Sequence, residues 1–173
     1  MRRLWRAAPR ARWAAVAAVV VGALVVIELA SGSGTDSDGR QAPPLPTKAL
    51  RPPAVDLADL HGKPALVDFF ASWCDPCAEE APTLRKLSAS LGDQATVVAV
   101  DWDDAGGPAR AFVREHGWTF PVMADTDGSV GESYGVTIGL PTSFVLDPEG
   151  RIVATFRGPQ SEATLRQALL EAA

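Results

Sequence analysis

The 173-residue chain carries 16 lysines and arginines against 21 aspartates and glutamates, a formal charge of −5, with two cysteines and two histidines. Its length allows one domain plus appendages. An acidic balance argues against nucleic acid or an anionic membrane surface as partner, although the same charge also serves plain solubility.

In chain order, residues 1–12 form a basic n-region with Arg2, Arg3, Arg6, Arg10 and Arg12. Residues 14–27 are then uninterrupted Ala, Val, Leu, Ile and one Gly, and residues 13–30 make a run just long enough to cross a bilayer at about 1.5 Å per residue. This is a membrane-targeting element. An uncleaved single-span transmembrane anchor over 13–30 is the preferred reading. The alternative is a signal segment cleaved near Ala30, Ser31 and Gly32, with secretion. No cysteine follows the run, which speaks against a lipoprotein anchor. All five arginines precede it, so the positive-inside bias leaves the N-terminus cytoplasmic and the rest outside. Beyond residue 30, eleven basic face twenty acidic side chains, a charge of −9.

Residues 31–53 are rich in Gly, Ser and Asp, then in Pro, and read as a flexible linker that stiffens along its length. The folded domain is expected over 54–173. Within it, residues 65–70 (ALVDFF) predict a buried strand after the Gly62-Lys63-Pro64 turn. A helix follows from Asp75 or Pro76 to Leu91, with Pro82 inside it as an expected kink. Its buried face holds Ala81, Leu84, Leu87 and Leu91. Residues 96–101 predict a second buried strand, 108–116 a helix stopped by Gly117, 120–124 a short strand and 128–134 a short helix closed by Gly135. Strands over 142–146 and 151–156 flank the hairpin turn Asp147-Pro148-Glu149-Gly150. Ser161 caps a last helix carrying Leu165, Ala168 and Leu169. These elements predict an α/β sandwich with a mixed central sheet flanked by helices.

The only cysteines lie in Trp73-Cys74-Asp75-Pro76-Cys77, directly after the first buried strand. That spacing brings two thiols within reach at a helix start, where they can cycle between dithiol and disulfide. A zinc site lacks a second ligand pair, since His61 and His116 stand alone. A structural bridge across so short a loop removes little unfolded-state entropy. Unpaired N–H groups and the helix dipole favour a thiolate at Cys74. Asp75, a neighbouring negative charge, works against it, and Pro76 stiffens the turn.

The run VDFFASWCDPC with Glu80 and Pro82, together with Gly139-Leu140-Pro141-Thr142 before a strand, resembles the thioredoxin superfamily. More narrowly it is similar to the TlpA/ResA/DsbE-like membrane-anchored, extracytoplasmic thiol-disulfide oxidoreductases. The resemblance covers roughly residues 55–170 and implies a thioredoxin-like fold with an extra helical insertion between Asp103 and Tyr134. It implies that Cys74 is the exposed nucleophile and Cys77 the resolving thiol. Pro141 would hold a cis peptide, with Leu140 pairing an extended substrate and Trp73 flanking the site.

Asp68, where many relatives of this branch carry Asn, matches the buried acid of thioredoxin and would move the Cys77 proton. Glu80 would tune the thiols or contact the client, with Asp75 and Pro76 as further modulators. The hairpin that usually opens this branch is shortened or lost, because only residues 54–63 remain for it. No cofactor is implied beyond the Cys74–Cys77 disulfide, and no metal. The implied clients are protein disulfides, such as the CxxC haem site of apocytochrome c or a copper-site cysteine pair. The electron donor would be a membrane thiol transporter of the CcdA type, and the protein a monomer. A thiol oxidase for secreted proteins and a copper-delivery protein are the alternatives.

Overall fold

Buried strands without alternation and short turn-bounded elements build a six-stranded sheet in the computed structural model, which describes residues 39–137 and 139–173. The basic n-region, the apolar run over 13–30 and the first part of the linker lie outside the described residues. Among those described, no helix is long and apolar enough to cross a membrane. The described residues belong to one unit.

Strand β1 is Ala49–Arg51, β2 Ala65–Phe70, β3 Thr96–Trp102, β4 Val122–Asp125, β5 Thr142–Leu146 and β6 Ile152–Arg157. They lie in the order β1-β4-β3-β2-β5-β6. Strands β2, β3 and β4 run parallel, while β1, β5 and β6 pair antiparallel to their neighbours. All six residues of β2 are buried, as its central place between β3 and β5 requires.

Helix α1 is Asp75–Leu91, α2 Gly106–Glu115, α3 Ser129–Tyr134 and α4 Glu162–Glu171. One core lies between the sheet and helices α1, α2 and α4, with Leu66, Phe70, Leu84, Phe112 and Leu165 among its members. The other face of the sheet packs Val67, Phe69 and Phe144 against Tyr134 of α3. Helix α1 is uninterrupted across Pro82. At α4, Thr164 N donates to the Ser161 hydroxyl at 3.1 Å, the expected cap. The mixed sheet, flanking helices and insertion between β3 and β5 give a thioredoxin-like α/β fold, and the insertion supplies strand β4 as well as helices.

The linker reading needs correction. Residues 39–53 are part of the folded unit: Gly39 N and Ala42 N donate to Ile152 and Gly150 carbonyls, Gln41 bridges Arg151, and β1 pairs with β4. Tyr134 Oη donates to Pro43 O at 2.8 Å, and Ala42, Leu45 and Leu50 are buried. Proline removes donors, but an edge segment needs only alternate ones, so a Pro-rich stretch with spaced apolar residues still docks. The domain therefore begins by residue 39 rather than 54. Residues 54–63 hold only a 3₁₀ turn at Ala58–Leu60. Upstream of them the three-residue β1 pairs with β4, so among the described residues no hairpin precedes β2.

Candidate active site

Strand β2 ends at Phe70, and four residues later Cys74 caps α1. Cys77 N donates to both the Cys74 carbonyl (3.1 Å) and the Cys74 sulfur (3.2 Å), while Ala78 N also donates to the carbonyl, at 3.2 Å. One first-turn N–H, that of Cys77, thus reaches the Cys74 sulfur at the helix N-terminus, a contact that favours negative charge there. Cys74 and Cys77 form a disulfide, with Cα atoms 5.3 Å apart. The expected contrast in burial is smaller than the sequence implies. Cys74 is 6% exposed and Cys77 2%, because both belong to the core cluster that α1 builds against the sheet. Cys74 is the more accessible, but it is not an exposed side chain in the disulfide form.

Trp73 is 59% exposed, which excludes a role as core filler. Asp75 and Pro76 are exposed on the first turn of α1. The Leu140–Pro141 peptide is cis. Because Thr142 pairs with Phe69, Pro141 comes alongside the end of β2 that leads into the cysteines. Leu140 packs against the core cluster that contains both cysteines.

Two buried carboxyl groups lie on the elements that carry the pair, Asp68 on β2 and Glu80 on α1. Asp68 is directly opposite Ser143 on β5, whose hydroxyl donates to Oδ1 at 2.6 Å, while Oδ2 has no partner. Glu80, one turn after Cys77 on α1, accepts from Gln160 N at 2.7 Å through Oε1, and its Oε2 has no partner. Burial, then the charge of Glu80, holds Asp68 well above the usual carboxylate range against the opposing Ser143 bond. Burial raises Glu80 to about 7. At 2% exposure Glu80 cannot meet a client directly, so of its two expected roles only tuning is compatible with its position. Glu79 is the exposed neighbour.

A third acid escaped sequence reading. Asp101 near the end of β3 is fully buried with neither oxygen hydrogen-bonded, and burial raises it to about 8. Asp104 next to it accepts from Ser72 N at 2.7 Å, tying this acidic pair to the loop before Cys74. The signal was present as an acid inside the apolar run TVVAVDW. Ser143 and Gln160 carried no comparable signal, since their partners are 75 and 80 residues away. Among the described residues no group of three or more side chains is placed to hold a metal ion.

The arrangement suits dithiol–disulfide exchange: a sulfur at a helix start, a second sulfur one turn on, and buried protonatable carboxyl groups on the same strand and helix. Comparison with known proteins agrees. The Redoxin family model matches residues 35–169. The chain is 31% identical over 132 residues to thiol-disulfide oxidoreductase ResA of Bacillus thuringiensis, covering 76% of each chain. It is 42% identical over 125 residues to the thiol:disulfide interchange protein DsbE homolog of Paracoccus denitrificans, covering 70% of this chain and 66% of that one. Among solved structures, a DsbF homologue from Corynebacterium diphtheriae shares 27% identity at a TM-score of 0.69, covering 82% of this chain and 95% of that one.

Proposed function

The chain belongs to the Redoxin family and is a thiol-disulfide oxidoreductase of the ResA/DsbE type, and from that premise we propose that it works as an extracytoplasmic, membrane-tethered reductase of client disulfides. The observation that carries the chemistry is the Cys74–Cys77 pair at the start of α1, and the buried acids on the same strand and helix, Asp68 of β2 and Glu80 of α1, support a proton-transfer role.

In the reducing cycle the Cys74 thiolate attacks one sulfur of a client disulfide. The client S–S bond breaks, a Cys74–client bond forms, and the expelled client thiolate takes a proton from solvent. The Cys77 thiol then passes its proton to the Asp68 carboxylate and attacks the Cys74 sulfur. This releases the second client thiolate, which is protonated in turn. Two electrons have moved to the client, and the Cys74–Cys77 disulfide remains. Leu140 and the Pro141 peptide offer backbone to an extended client beside the sulfurs, with Trp73 as an exposed apolar flank.

Clients presenting a CxxC pair, such as the haem site of apocytochrome c or a copper-site cysteine pair, fit this chemistry. A membrane thiol transporter of the CcdA type would return the enzyme to the dithiol state. Support for the tether comes from the five arginines ahead of the apolar run. The full-length chain should equilibrate with glutathione or thioredoxin at a reducing potential, nearer the about −270 mV of thioredoxin than the about −120 mV of a strong oxidant. A value near the oxidising end would reassign the enzyme to thiol oxidation.

A further inference from the structure

Away from the cysteines, a cavity of about 410 Å³ opens between β1 and α2. Its apolar lining is Leu50, Val113 and Trp118, and Arg51, Arg110 and Arg114 contribute the charge. Residues 110, 113 and 114 fall on one face of α2 by helical spacing. Among the described residues none of these three arginines forms a salt bridge, although the charge of Arg110 acts on the buried Asp101, whereas Arg151 and Arg166 both pair with carboxylates. Instead, Arg51 donates to the Phe120 carbonyl at 3.0 Å and Arg110 to the Gly106 carbonyl at 3.1 Å. Those bonds fix the guanidinium groups and leave further N–H donors unused, since each carries five. Three guanidinium groups around one apolar hollow, in a chain with an excess of acids, make a site complementary to carboxylates.

The position favours a polypeptide as occupant. The cavity adjoins β1, an edge strand whose outer side has no partner strand among the described residues. Such an edge offers backbone groups to an added extended segment. Its volume suits one bulky side chain and its neighbours. Trp118 is anchored by its indole N–H to the Ala81 carbonyl at 3.0 Å, one turn beyond Cys77, so the hollow flanks the same helix that carries the cysteines.

We propose that the hollow between β1 and α2 is a second docking site, which holds an extended acidic segment of a partner protein by one apolar side chain flanked by carboxylates. This goes beyond the exchange chemistry and holds for either redox direction.

Fluorescence anisotropy with the full-length chain tests it, using a labelled, cysteine-free peptide with an Asp-Glu-Leu-Asp-Glu core. Saturable binding is expected. Replacing the acids by their amides, or the leucine by serine, should each weaken it about tenfold. The Arg114→Glu variant should weaken it about tenfold or more while insulin reduction stays unchanged. Should that variant fail to fold, Arg114→Ala should still weaken binding severalfold. Absence of peptide binding, or equal binding by the variants, would overturn the proposal. So would saturation of the hollow by octanoate without any binding of peptide, which would assign it to a small amphiphile.

Discussion

Asp68 and Glu80 are both buried, and the negative charge of Glu80 raises the cost of ionising Asp68. For the proposed proton transfer this sets a direction. Resolution of the mixed disulfide should speed up as pH rises through the elevated pKa of Asp68. Glu80→Gln removes the neighbouring charge but keeps an acceptor for Gln160 N, so that rise should move to lower pH. Asp68→Asn should slow resolution by about 10²-fold and abolish the dependence, as stopped-flow kinetics would read.

The same groups set a stability profile. Folding holds the Glu80 proton up to about 7 against an ordinary value of 4.5, and the Asp101 proton up to about 8 against 3.8. A folded state that binds more protons than the unfolded chain loses stability as pH rises. The loss for Glu80 therefore runs between about pH 4.5 and 7, and for Asp101 between about 3.8 and 8. Glu80→Gln and Asp101→Asn should each flatten the decline and stabilise the protein at pH 8 by on the order of 2 kcal/mol, read from urea midpoints at pH 5 and 8.

Single elements differ in how much of them the sequence displays. Helix α1 and strands β2 and β5 have the bounds expected from periodicity, because Cys74, Gly92 and the turn residues mark their ends and their apolar faces are complete. Strand β3 continues one residue further, to Trp102, whose indole N–H finds the Gly128 carbonyl at 3.1 Å. The N-terminal arm was the misread element. Its prolines and glycines carry the composition of a tether, and only Ala42, Leu45 and Leu50 betray that it is packed. No local signal says that Gly150 and Ile152, more than a hundred residues on, supply its hydrogen-bond partners. A fragment starting at residue 54 should accordingly be less stable than one starting at residue 39 by several kcal/mol, since burial of Leu45 and Leu50 alone contributes about 1.5–3 kcal/mol each. Equal urea midpoints for the two fragments would show that the arm adds nothing.

At the scale of the whole molecule, the fold class and the cysteine site were legible because both depend on local signals: buried strands, capped helices, CxxC and the Gly-Leu-Pro-Thr loop. The buried acids were legible only in part. Asp68 is visible as an acid in an apolar strand, but its meeting with Glu80 is a product of how α1 lies over the sheet. Likewise, Gln160 and Ser143 enter the site only through tertiary placement. The parts fit one description: a thioredoxin-like unit whose first segment is bound to the sheet, with its exchange site at the ends of β2 and β5 and a basic hollow on its flank. The central statement is that Cys74 attacks and Cys77 resolves, and trapping tests it most directly. The full-length Cys77→Ser variant, mixed with a peptide containing an oxidised CxxC pair, should accumulate a mixed disulfide that mass spectrometry locates at Cys74, while Cys74→Ser should give none. Accumulation through Cys77 in the Cys74→Ser variant, or wild-type turnover by that variant, would contradict it.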